Sequence, residues 1–143
     1  RAPENFFKFT GRTEIWGRGI DQFKETPVMG LGFHADRLAL GGHMHNSYLH
    51  ALVQTGVLGT IPFVAALLYA WALLWRLAHQ LDRIPLVQKH LVIQVAGILA
   101  FLSVRTIFES TGAFFGVDWL FLAPVFLYLQ VVSRSYNGQD ETS

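Results

Sequence analysis

The pattern of apolar and polar positions divides the chain into two unlike parts. Residues 1–47 carry 11 charged side chains among mixed apolar positions, a density typical of protein in water. Residues 48–75 contain no Lys, Arg, Asp or Glu, and a helix of that length exceeds a hydrocarbon core of roughly 30 Å. A soluble helix without a charged face has no surface to present to water. We therefore expect an all-α membrane protein rather than a soluble helical domain.

Three apolar stretches within residues 48–133 predict transmembrane helices, at about 49–75, 91–108 and 117–132. The third, at roughly 16 residues, is at the short limit for a spanning helix. Pro62 lies inside the first stretch and is expected to kink it, because proline removes one backbone hydrogen bond from a helix.

The segment before the spans predicts a short amphipathic helix. Trp16, Ile20 and Phe23 recur at helical spacing within residues 13–24, and the helix should end before Pro27. Two placements are open: the helix packs on the protein body, or it lies along the membrane interface with Trp16 as its anchor.

The distribution of basic residues predicts the orientation. The connection 76–90 holds three basic residues, whereas the connection 109–118 holds two acids and no Lys or Arg. The positive-inside rule places 76–90 and a tail at 134–143 in the cytoplasm. We expect this tail to be irregular from Tyr136 onward. Residues 1–47 then form part of a periplasmic loop. Because no initiator Met or apolar leader precedes this loop, we expect a segment of a longer polytopic protein.

Composition narrows the function classes. The net charge is +1, which gives no attraction to nucleic acid. The absence of cysteine excludes disulfides, thiolate zinc sites and a cysteine nucleophile.

Four of the six histidines lie between His34 and His50. The His43-x-His45 pair could ligate zinc with a third residue, but this stretch opens a helix, where alternate positions do not share a face. We expect no metal and no other cofactor. For His34, His43 and His50, ordinary hydrogen bonding at a wet interface is the simpler interpretation.

His45 has a special position. Asn46 or Ser47 is a natural N-cap for the first spanning helix, so His45 lies at the mouth of that helix. The positive end of a helix dipole attracts anionic oxygens and favours a neutral imidazole, which is the form that a general base requires.

Arginines surround this position in the predicted topology. Arg12 and Arg18 belong to the outer segment, and Arg105 lies near the outer end of the second span. A charge inside a span indicates function by default, although Arg105 could also form an ion pair with Glu109 four residues later. Because guanidinium groups bind phosphate oxygens bidentately, a histidine base beside arginines suggests group transfer from a phosphate-linked lipid.

The order of several motifs resembles the O-antigen ligase and polymerase superfamily. The motifs are TGRTEIW (residues 10–16), PVMGLG (27–32), HNSYL (45–49), VQTGVLG (53–59) and VRTIFE (104–109).

The resemblance implies a bacterial inner-membrane glycosyltransferase that needs no metal. Such enzymes move a glycan from undecaprenyl pyrophosphate to an acceptor hydroxyl, which in a ligase belongs to lipid A–core. His45 matches the family's essential histidine, and Arg12 matches a loop arginine that engages pyrophosphate. Arg105, Arg18, Asn46 and His43 are further candidates for substrate contact. Because another important arginine of the family lies upstream, we expect this segment to be inactive alone.

Alternative functions stay open. A repeat-unit polymerase and a protein O-oligosaccharyltransferase would share the same motifs. A non-catalytic scaffold or transporter part would explain the spans but not His45, and a metal-dependent membrane hydrolase would need the His43/His45 pair as ligands.

Overall fold

The computed structural model describes residues 12–113 and 116–140, except the side chains of 36 and 137–140. Outside these ranges lie residues 1–11 of the predicted loop and 141–143 of the predicted tail. The described chain forms α-helices and one 3-10 turn: α1 (Arg12–Glu25), α2 (Ala35–Leu40), α3 (Ser47–His79), the 3-10 turn Leu81–Arg83, α4 (Leu86–Phe108) and α5 (Trp119–Asp140).

The predicted all-α membrane architecture is confirmed. Among the described residues, α3 and α4 are long and apolar enough to cross a membrane, and both extend the stretches predicted from sequence by a few residues. The helix α5 contains the predicted third span, which stays a prediction. The helix continues to Asp140. Residues 136–140 are therefore helical, and the expectation of an irregular tail is wrong for these residues.

The core lies along α3, which packs against both α4 and α5. The fully buried side chains of this core come from all three helices and are aliphatic or aromatic. Examples are Phe63, Leu77, Leu99, Leu122 and Leu129. The opposite faces of α3 and α4 carry exposed large apolar residues, including Leu68, Trp75, Ile93 and Phe101. An apolar outer surface of this kind is suited to lipid or to further helices.

The helix α3 is broken at Gly56, and this corrects the expectation of a kink at Pro62. Gly56 has the only non-helical backbone angles inside α3, with φ 61° and ψ −161°. The rings of Tyr48 and Phe63 lie 5.7 Å apart, whereas 15 residues of straight helix would separate them by about 22 Å. The part before Gly56 therefore folds back on the part after it. The second part alone, at about 34 Å, is long enough to cross the hydrocarbon core.

The loop segment 27–32 supplies the hydrogen bonds that the break removes. The N–H groups of Leu31 and Gly32 donate to the carbonyls of Val53 and Gln54, at 2.8 and 2.9 Å. On the other side of the break, the N–H groups of Val57 and Leu58 donate to Pro27 and Val28 carbonyls, at 2.9 and 3.2 Å. Buried backbone groups need such partners, so loop and broken helix form one unit.

Two glycines allow this approach of backbone to backbone. A Cβ at Gly30 would lie closer than 3.0 Å to backbone atoms of Gln54 and Gly56, and a Cβ at Gly56 would meet the Val28 backbone as closely. Both glycines also have positive φ, which side chains disfavour. The glycines of the PVMGLG and VQTGVLG motifs therefore interlock.

The predicted amphipathic helix is confirmed as α1, and it packs on the protein body. The indole N–H of Trp16 donates to the carbonyl of Met44 at 2.6 Å. Gly19 is buried where a Cβ would meet the Met44 side chain. The residues of α1 that turn inward join a small cluster with Leu40, Met44 and Val53. The short helix α2, which the sequence pattern did not predict, completes this cluster.

Candidate active site at the start of the broken helix

His45 directly precedes the helix α3 in a left-handed backbone conformation, with φ 47°. Such angles are uncommon for residues other than glycine and are found where the surroundings impose them. The next residue, Asn46, is the predicted N-cap: its side-chain oxygen accepts from the Leu49 N–H at 2.9 Å. His45 therefore lies at the mouth of the helix, as expected.

The residues after His45 fasten the start of α3 to the end of α4. The Asn46 amide donates to the carbonyl of Ile107 at 3.0 Å, one of the last carbonyls of α4, which lack partners within the helix. The buried hydroxyl of Ser47 donates to the Glu109 carbonyl at 2.5 Å and accepts from the Gly112 N–H at 3.0 Å. These bonds join residues more than 60 positions apart, and they fix the position of His45 relative to Glu109.

The imidazole of His45 faces the carboxylate of Glu109. The distance from His45 Nδ1 to Glu109 Oε2 is 3.5 Å, and the two side chains are 41% and 45% exposed. This separation suits an ion pair and is slightly longer than a good hydrogen bond. The Nδ1 atom is buried and has no hydrogen bond within the described structure. The ring nitrogen available to a substrate is therefore Nε2.

Arg105 pairs with Asp118 and not with Glu109, which corrects the expected pairing along the helix. Arg105 Nε lies 3.3 Å from Asp118 Oδ1 and 3.4 Å from the Thr111 hydroxyl, and that hydroxyl donates to the other Asp118 oxygen at 2.8 Å. Asp118 is 5% exposed and Arg105 is 37% exposed. The carboxylate is thus neutralised internally, while the guanidinium keeps an accessible edge.

An apolar groove of about 730 Å³ lies between α4 and α5. It is lined by residues such as Gly97, Ile98 and Phe121, and Arg105 with Asp118 forms its polar end. The groove runs for about three turns of α4, since its lining extends from Gln94 to Arg105. Its shape is suited to a hydrocarbon chain with a charged head near Arg105.

Arg12 lies at the same end of α4 as His45. It lines a smaller cavity of about 250 Å³ together with Thr13, Trp16, Ile107 and Phe108. The Ile107 carbonyl is also the acceptor for Asn46, so the cavity adjoins the fastening point of α3. The structure thus brings Arg12, Arg105 and His45 to one end of the helix bundle.

The other candidates occupy different surroundings. Arg18 is exposed on α1, on a different face from Trp16. His43 is exposed, with its ring centroid 5.8 Å from that of His45. The side chain of Asn46 is engaged on both sides by backbone groups. No group of three or more His, Asp or Glu side chains in the described part of the chain could hold a metal ion.

Sequence reasoning missed two contributors to this site. Local spacing points to Glu109 only as a partner for Arg105. Ser47 has a weak signal, since its local position indicates only an alternative N-cap. Both depend on contacts between α3 and the end of α4, which no local pattern encodes.

Comparison with known proteins finds similarity in the first half of the chain. Residues 4–64, which include Arg12, His45 and both interlocking glycines, match the family model described as O-Antigen ligase. The match covers 61 of the 143 residues, so it is a similarity of this segment to that family. It is also similar to the exopolysaccharide production protein ExoQ of Rhizobium meliloti (strain 1021). The two are 33% identical in an alignment of 79 residues that covers 43% of this chain.

The chain spans about 18% of the length of that relative. No solved structure matches the chain. The matched region contains the loop segment 27–32, the helix mouth and the break at Gly56, so the similarity includes the residues that flank His45 in sequence.

Proposed function

We propose that the protein containing this chain transfers a glycan from undecaprenyl pyrophosphate to an acceptor hydroxyl at the periplasmic face of the bacterial inner membrane. The observation that carries the proposal is the half-exposed His45 at the mouth of α3, at the same end of the bundle as Arg12 and Arg105. The match of residues 4–64 to the O-antigen ligase family model supports the class of reaction. In this proposal the outer loop and the 109–118 connection face the periplasm, and 76–90 faces the cytoplasm.

In the proposed reaction, the acceptor oxygen attacks the anomeric carbon of the donor glycan. The bond between that carbon and the pyrophosphate oxygen breaks, and undecaprenyl pyrophosphate leaves with the bonding electrons. His45 Nε2 takes the proton of the acceptor hydroxyl and later releases it to solvent. General bases of this kind typically contribute about 10²–10⁴-fold in rate.

The arginines would act on the leaving group. Negative charge grows on the pyrophosphate as the glycosidic bond breaks, and positioned guanidinium groups stabilise it. Arg12 and the accessible edge of Arg105 are the candidates for this role. The groove between α4 and α5 would take part of the isoprenoid chain, with its pyrophosphate end toward Arg105.

The acceptor separates two versions of the function. A ligase would transfer the glycan to lipid A–core, and a polymerase would extend a growing polysaccharide by one repeat unit. The similarity to an exopolysaccharide production protein favours keeping the polymerase as the second candidate.

The test is His45→Ala in the full-length protein, in its own host, with His43→Ala as the matched control. Lipopolysaccharide is examined on gels and secreted polysaccharide is quantified, while immunoblots report membrane abundance. We expect His45→Ala to abolish the polymer at normal abundance and His43→Ala to retain it.

The polymer pattern identifies the reaction. Core-only bands with accumulated lipid-linked polymer indicate a ligase, and core with a single repeat, or loss of exopolysaccharide alone, indicates a polymerase. Unchanged lipopolysaccharide and exopolysaccharide in abundant His45→Ala protein would refute the proposed base.

A further inference from the structure

We propose that Glu109 is the positioning residue for His45: its carboxylate accepts a hydrogen bond from Nδ1–H, fixing the ring tautomer that leaves Nε2 free to accept a proton. This inference rests on the proposed function of His45. The evidence is geometric, since Glu109 Oε2 is 3.5 Å from a buried Nδ1 that has no other hydrogen-bond partner in the described structure.

The two residues are held in place from both sides. Around His45, the preceding carbonyl of Met44 accepts from the Trp16 indole, and the following Asn46 is fixed by its two backbone bonds. These bonds fix the backbone on both sides of His45 and therefore the point from which its side chain projects. The left-handed angle at His45 is a second sign that its orientation is imposed.

Glu109 is fixed in a similar way. Its N–H donates to the Arg105 carbonyl at 2.9 Å, and its own carbonyl accepts from Ser47. It is the first residue after α4, in extended conformation, so its side chain leaves the helix toward the start of α3. Since Arg105 forms its ion pair with Asp118, the Glu109 carboxylate is available to the imidazole of His45.

This arrangement has a chemical consequence. A neutral imidazole carries its proton on one nitrogen, and the hydrogen bond made by that nitrogen decides which one. A carboxylate at Nδ1 selects the Nδ1–H tautomer and stabilises the imidazolium that forms when Nε2 takes a proton, as an aspartate does in serine proteases. The present distance needs to shorten by a few tenths of an ångström, and catalytic hydrogen bonds commonly tighten when substrate binds. The other titratable group beside the ring is His43.

The first experiment is a double-mutant cycle in the purified full-length protein. The donor is lipid-linked glycan extracted from a host that lacks the protein, and initial rates are measured for wild type, Glu109→Gln, His45→Ala and the double variant. We expect Glu109→Gln to lower kcat roughly 10- to 100-fold, less than loss of the base itself, with little change in KM. In the His45→Ala background the same substitution should change the residual rate less than twofold, because Glu109 acts through His45.

Two further variants separate positioning from a structural role. Glu109→Asp keeps the carboxylate and should be faster than Glu109→Gln, and Glu14→Gln on exposed α1 serves as the matched control. Equal losses in both backgrounds, or no loss in Glu109→Gln, would overturn the proposal.

A readout independent of activity distinguishes this proposal from the proposed function. Imidazole nitrogen chemical shifts, assigned to His45 by their loss in His45→Ala, report the tautomer. We expect the Nδ1–H form in wild type and a shift toward the Nε2–H form in Glu109→Ala. If His45→Ala retains its full rate, the proposed base is wrong, and these shifts alone decide the Glu109 pairing: unchanged shifts in Glu109→Ala would overturn it.

Discussion

Replacing Gly56 by alanine should strongly destabilise the protein, because two independent penalties meet at this position. The backbone angles, φ 61° and ψ −161°, lie in a region that is essentially restricted to glycine and costs about 1–3 kcal/mol for another residue. The new Cβ would also lie closer than 3.0 Å to backbone atoms of Val28 and Met29. Relief of this overlap requires the loop backbone to move.

That movement would weaken the hydrogen bonds between loop and helix. The Val57 and Leu58 N–H groups donate to the Pro27 and Val28 carbonyls, and each such bond contributes about 0.5–1.5 kcal/mol. Together with the backbone strain, we expect a loss of about 3–5 kcal/mol in the free energy of unfolding. The melting temperature of the full-length protein should fall accordingly, by ΔΔG divided by the entropy of unfolding, which grows with chain length.

Two other glycines separate the two penalties. Gly97 lies in α4, where an added Cβ meets nothing within 4 Å, and Gly32 has φ +98° with equally open space. Thermal unfolding of the full-length protein in detergent should give the order Gly97→Ala, Gly32→Ala, Gly56→Ala from most to least stable. Gly97→Ala should be at least as stable as wild type, because alanine is favoured over glycine inside a helix, and Gly32→Ala should show the strain alone.

The comparison can refute the interpretation. Equal melting temperatures of Gly56→Ala and Gly97→Ala would show that the loop and helix do not interlock as described. If Gly32→Ala and Gly56→Ala were equally destabilised, backbone overlap with Val28 would contribute nothing.

Three further predictions concern the site. Ser47→Ala should lower the melting temperature and the transfer rate together, because the Glu109 carbonyl and Gly112 N–H lose a buried partner worth about 1–3 kcal/mol. The control is Ser135→Ala at an exposed position, and equal melting temperatures of these two variants would contradict the fastening role of Ser47. Arg105→Gln should destabilise the protein by leaving the buried Asp118 unpaired. Adding Asp118→Asn to this variant should restore the melting temperature but not the transfer rate. Full recovery of the transfer rate in the double variant would exclude substrate contact by Arg105. Arg12→Ala should lower kcat at least about tenfold, since it removes a candidate for stabilising the leaving group, whereas a loss of the same size in Arg18→Ala would count against a specific role for Arg12.

Local signals in the sequence were sufficient for α1, α3 and α4 and for the main candidate residue, but not for the short helix α2. Long charge-free stretches identify α3 and α4 because a spanning helix must be apolar around its whole circumference. The spacing of Trp16, Ile20 and Phe23 predicts α1. The N-cap preference of Asn46 marks the start of α3, and with it the position of His45, because capping involves only the first turn of a helix.

The tertiary structure decided where α3 breaks and which acid faces His45. Pro62 is the stronger local helix breaker, yet the break lies at Gly56, because only there does the loop 27–32 supply partners for the freed backbone groups. Glu109 is four residues from Arg105, yet Arg105 pairs with Asp118 and Glu109 turns to His45. Each outcome depends on groups that are distant in sequence and adjacent only after folding. The sequence therefore determined the long apolar helices, α1 and the candidate base, while packing determined their partners.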